Sequence, residues 1–141
     1  YYFVYKMKDF NEPMDGIVYG VTVSLGFATL ENYEYVFIYA EKWGYEPYQM
    51  ALWRSYSAVP MHGLLGCIMG FYFGIYAFSA KKKYLMLFLF LPFVLHGLYN
   101  FLPHPYHLMT LGIIIIYSFL LHTQLKKLQW IKKKEKEIKQ V

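Results

Sequence analysis

Four stretches of this 141-residue chain are long and apolar enough to lie across a lipid bilayer, and that limits its fold more than any other feature. A helix rises about 1.5 Å per residue, so about 20 predominantly apolar residues cross a hydrocarbon core roughly 30 Å thick. The stretches are span A, 16–40; span B, 57–80; span C, 84–102; and span D, 106–125. Composition agrees, since 57% of residues are apolar and only 16% charged, against a usual charged share of roughly 25%. The mean hydropathy of +0.26 is modest because sixteen tyrosines and a lysine-rich end lower it without shortening the runs. The expected fold is an all-α, polytopic integral membrane helix bundle with about four transmembrane helices. Residues 1–5 read as the last turn of a further helix entering from upstream. The expected organisation is a bundle over 1–125 and a basic cytoplasmic tail over 126–141.

Charge fixes the orientation of such a bundle, because lysine and arginine near helix ends are retained on the cytoplasmic side. Lys6 and Lys8 precede span A, Lys81, Lys82 and Lys83 lie between B and C, and Lys126 and Lys127 follow D. All three clusters fall on one face, leaving residues 41–56 and 103–105 outside. The net charge of +5 comes from these short clusters, which have the pattern of membrane flanks and not of a nucleic-acid groove. No nucleic-acid partner is expected; the lipid bilayer is. The single cysteine, Cys67, excludes an internal disulfide and every multi-cysteine metal motif.

Within the spans, the polar groups fall at one depth. Counting from the outer ends, Glu31 lies about 13 Å deep, His62 roughly 8 Å and His96 roughly 9 Å, with Asn100 a turn shallower. His96 and Asn100, four apart, share a helix face. Small residues recur every fourth position on A (Gly16, Gly20, Ser24, Ala28) and on B from His62 through Gly66, Gly70 and Gly74. Such rows let helix backbones approach closely in lipid, so the polar groups at their ends face neighbouring helices. An ionisable side chain inside a span costs a few kcal/mol and is a functional candidate by default.

The set permits two routes to peptide-bond hydrolysis. In one, a carboxylate is the general base while histidine and asparagine donate to the developing oxyanion. In the other, Glu31, His62 and His96 hold zinc, which supplies an activated water near neutral pH. No HExxH motif is present. Cys67 lies about 140° around the helix from His62 and points elsewhere. His104 and His107 flank a loop proline, and His122 is near the cytoplasmic end of D.

Three blocks carry a family likeness: NEPMDGIVYGVTVSLGFATLENYEYV (11–36), RSYSAVPMHGLLGCIMGFYFG (54–74) and LPFVLHGLYNFL (91–102). In order and spacing they resemble the PrsW family of membrane-embedded proteases, distantly related to the CAAX prenyl endopeptidase clan. The resemblance covers about 9–102. It implies an intramembrane endopeptidase acting on a membrane-anchored protein in the bacterial cytoplasmic membrane; bacterial members are associated with first-site cleavage of an anti-sigma factor. By position it implies Glu31 with supporting Asn32, His62, and His96 with Asn100 as site residues, and gives Glu12 and Asp15 a structural role at the opposite face. The family also carries an EExxK element just upstream of the EPxDG block. The chain starts at Tyr1, about where that element should end, so a missing upstream segment is expected. If that pair is the general base, Glu31 orients a metal or sits behind it. The rival readings are a non-catalytic scaffold or receptor and a CAAX-type prenyl-protein endopeptidase.

Overall fold

The computed structural model describes residues 7–103 and 105–138, with side chains in the last helix only as far as Lys127 and Gln129. Residues 1–5 and His104 lie outside the described residues. The elements are all helical: α1 (Pro13–Tyr33), α2 (Pro47–Tyr56), α3 (Ala58–Ser79), α4 (Lys82–Phe101) and α5 (Tyr106–Ile138). Between α1 and α2 the chain passes through a π-helical segment, Glu34–Tyr39, and a 3-10 turn, Glu41–Trp43. Three helical stretches are long and apolar enough to cross a membrane: Pro47–Ser79, Lys82–Phe101 and Tyr106–Lys127. α1, the fourth expected span, is less apolar because it carries Asp15, Glu31 and Asn32, but it runs the length of α3 and is bound to its depth.

The EPMDG stretch explains how α1 begins. Pro13 occupies the first helical turn, where its missing N–H costs nothing. Asp15 Oδ2 accepts the backbone N–H groups of Asn11 (3.0 Å) and Glu12 (2.9 Å), satisfying donors that precede the helix. These residues stand at the far end of α1 from Glu31, which is the structural part expected of them.

α3 is the central helix, buried along most of its length, with Met61 and Ile68 fully enclosed. It packs antiparallel to α1 through the two rows of small residues. A Cβ on Gly20 would stand 2.7 Å from Gly70 Cα, and one on Gly66 would stand 2.7 Å from Val21 Cα. The backbones therefore touch, and Ser24 Oγ donates to the His62 carbonyl at 2.6 Å. This register runs from Gly74 beside Pro13 at one end to His62 near the Glu31 end of α1 at the other.

α4 and α5 also pack against α3. Phe88 meets Phe73 at 5.6 Å between ring centres, Ser118 Oγ donates to the Leu64 carbonyl at 3.2 Å, and the hydroxyls of Tyr72 and Tyr117 pair. Their outward faces stay apolar and exposed, with Phe93 76% and Phe119 67% accessible, as lipid contact requires. α5 continues without a break past Leu125 into the lysine-rich stretch, and Gln129 Nε2 donates to Glu12 Oε2 at 2.9 Å, so the far end of α5 lies beside the start of α1.

The segment 41–56 is not a plain outer connection. It closes its 3-10 turn on Gly44, whose φ of +78° a side chain would strain, and then forms the ten-residue α2. α2 is too short to cross a bilayer. Tyr48, Trp53 and Tyr56 are more than 70% exposed on it, the arrangement of an interfacial aromatic belt, and only Arg54 is buried.

Candidate active site

Glu31 stands in the last turn of α1, His62 in the second turn of α3, and His96 in the second half of α4. The glycine rows bring the first two together, and the packing of α4 on α3 brings the third. His62 Nε2 donates to Glu31 Oε2 at 3.0 Å, and His96 Nε2 lies 3.5 Å from Glu31 Oε1. The imidazole centres are 4.9 Å apart, and the Phe27 ring flanks both, at 5.6 Å and 6.1 Å. The two histidines thus face one carboxylate, one on each oxygen.

Asn100 stands one turn beyond His96, and its Nδ2 donates to His96 Nε2 at 3.3 Å. It contacts the cluster through His96. Asn32 takes a different part: its Oδ1 accepts from Arg54 Nε at 2.5 Å. Cys67, as the spacing required, has no part in the cluster and packs beside the core.

Arg54 is the residue that sequence reasoning missed. Its Nη2 donates to Glu31 Oε2 at 2.5 Å, so the guanidinium forks across Glu31 and Asn32. It stacks on the Tyr35 ring, 3.9 Å from the ring centre, and is only 8% exposed. A fork of this kind needs the planar donors of arginine. One signal was available: Arg54 is the only arginine in a chain with thirteen lysines.

The three side chains form a set able to hold a metal ion. Two imidazoles and one carboxylate leave a fourth position open, as hydrolytic zinc sites do. One ligand atom from each of Glu31, His62 and His96 lies within 4.8 Å of the others. A tetrahedral ion with bonds of about 2.0–2.2 Å holds ligand atoms roughly 3.3–3.6 Å apart. The two Glu31–histidine contacts, 3.0 Å and 3.5 Å, are made to different oxygens of the carboxylate, so Glu31 must turn to offer one oxygen to an ion held by both rings. Arg54 and His62 both bond Oε2, while Oε1 lies beside His96.

Fold and site together define a class: a multi-pass helical membrane protein with a glutamate–histidine–histidine centre assembled from three helices. The profile of the PrsW family of intramembrane metalloproteases matches residues 1–123, and the chain belongs to that family. It is 46% identical over 104 residues to Protease PrsW of Geobacillus kaustophilus, covering 72% of this chain and 43% of the relative. Protease PrsW of Bacillus subtilis is 46% identical over 102 residues, 70% of this chain and 44% of the relative. Protease PrsW of Clostridioides difficile is 32% identical over 120 residues, 82% and 49%. The chain therefore spans about half the length of the curated relatives it matches. No solved structure matches it significantly.

Proposed function

We propose that this chain forms the catalytic bundle of an endopeptidase that hydrolyses a peptide bond of a membrane-anchored protein, with zinc held by Glu31, His62 and His96. The observation that carries this reading is the convergence of three helices on one carboxylate flanked by two imidazoles, in a family whose relatives are named as proteases. Zinc, when bound there, polarises the scissile carbonyl and supplies a nucleophile near neutral pH.

The chain's own residues divide the remaining work. Arg54 and His62 engage Oε2 of Glu31, which fixes the carboxylate and suits it to orientation and ligation better than to proton abstraction. That task falls to a carboxylate outside this cluster, for which the family's EExxK pair is the candidate. Asn100 Nδ2, released from His96 Nε2 when that nitrogen takes the metal, is placed to stabilise the oxyanion. Lysine-bearing ends of the bundle face the cytoplasm, so the centre lies toward the outer leaflet of a bacterial cytoplasmic membrane, with the tail inside. The substrate is then a protein anchored in that membrane, an anti-sigma factor being one candidate.

The test is cleavage of a doubly tagged single-span protein by the full-length protein in lipid vesicles. Cleavage should stop with a zinc chelator and return with added zinc. If cutting persists under chelation, the zinc assignment is wrong. A scaffold would give no cleavage under any condition, and a CAAX-type enzyme would cut only a prenylated substrate. Arg54→Lys keeps the charge but loses the fork, and should lower both zinc affinity and turnover by about 10–100-fold, the range for residues that orient metal ligands. Zinc titration of the variant checks this independently of activity.

A further inference from the structure

Beside the cluster lies a cavity of about 620 Å³, within the roughly 300–1,000 Å³ of ligand pockets. Its walls come from six elements: Tyr35 on the π-helical segment, Trp43 on the 3-10 turn, Trp53 on α2, Ala58 on α3, Tyr99 on α4 and His107 on α5, with Tyr45 in the connection. Arg54 and Asn100 line it as well. Each is bonded to a member of the cluster, Arg54 to Glu31 at 2.5 Å and Asn100 to His96 at 3.3 Å. The cavity therefore abuts the chemistry at two points. Its rim is at the aromatic belt, where Trp43 and Trp53 are 53% and 72% exposed.

Two properties select the occupant. Five tyrosine and tryptophan rings line it together with Met50 and Leu102, which favours a large flat or branched apolar side chain. Arg54 is the one lining residue that carries a fixed charge and it is already paired with Glu31, and the lining holds no carboxylate, so a lysine or arginine entering there loses its hydration without a partner. We propose that this cavity is the specificity subsite of the enzyme, taking an aromatic or large aliphatic side chain of the substrate next to the scissile bond and rejecting lysine and arginine. The proposal rests on the protease reading above and adds the side-chain class that is cut.

The experiment uses the full-length protein and a set of single-span reporters identical except for one juxtamembrane residue near the cut, set in turn to Phe, Trp, Leu, Ala, Glu and Lys. The cut site and rates are read by mass spectrometry. Phe, Trp and Leu should be cleaved at least about 10-fold faster than Ala, and Lys slowest of all. Trp53→Ala, which opens an exposed wall, should cut the Phe reporter about 10-fold more slowly and narrow its advantage over Ala. Ala58→Phe, which adds bulk at a lining residue of α3, should reverse the preference toward Ala. Equal rates for all six residues, with wild type active and His62→Ala inactive, would overturn the subsite and leave the protease reading standing. Preserved Phe preference in Trp53→Ala and Ala58→Phe alike would also overturn it. Absence of cleavage of every reporter by wild type would overturn both.

Discussion

His62→Ala is expected to lower cleavage of a membrane-anchored substrate by about 10²–10⁴-fold, the span associated with losing a positioned catalytic group. The variant should nevertheless fold. His62 is 2% exposed and makes one side-chain hydrogen bond, to Glu31, and that carboxylate keeps the guanidinium of Arg54. Losing one such bond costs about 1–3 kcal/mol, including the desolvated partner left behind. The α1–α3 contact does not depend on the ring, because Ser24 bonds the His62 backbone carbonyl. Activity and thermal unfolding in detergent, measured on one preparation, separate the two effects. A variant that melts a few degrees lower and does not cut supports a chemical role; one that cuts at the wild-type rate removes His62 from the centre. His96→Ala should behave alike, with a smaller stability loss because His96 is more accessible.

Gly70→Val should do the reverse and break the fold first. A Cβ at Gly70 would stand 2.6 Å from Ile17 Cα, and its neighbours there are backbone atoms that cannot swing aside. Forcing α1 off α3 is expected to cost about 3 kcal/mol or more. Because the same contact holds Glu31 beside His62, activity should fall with stability. Gly112→Val on α5 is the control, since nothing lies within 4 Å of a Cβ there. Unfolding in graded denaturing detergent compares the two. If Gly70→Val resists as well as Gly112→Val, the backbones of α1 and α3 are not in contact.

How much of this was legible beforehand follows from what lipid demands. Spans B and C were readable to within about two residues of α3 and α4, since length and apolarity are imposed by the bilayer. Span A was readable as a whole, but not its change to π-helix at Glu34, which the local pattern does not announce. α2 was missed because Glu41, Lys42, Glu46 and Arg54 make 41–56 look like a solvated loop. Glu31, His62 and His96 were conspicuous because each is polar in an apolar setting. Arg54 was hidden for the opposite reason: an arginine in a polar segment is ordinary, and only the packing of α2 on α3 and the π-helical segment turns it inward toward Glu31. Asn100 was correctly placed on the His96 face, yet its tie to the cluster through that ring is a tertiary fact.

The central claim is that side chains from three helices form a single metal-binding centre. Zinc content of the purified full-length protein, measured by mass spectrometry alongside Glu31→Ala, His62→Ala and His96→Ala, tests it most directly. The account predicts one zinc per chain in the wild type and its loss from each of the three variants. Undiminished zinc in His62→Ala and His96→Ala, or a zinc-free wild type that still cleaves its substrate, would contradict it.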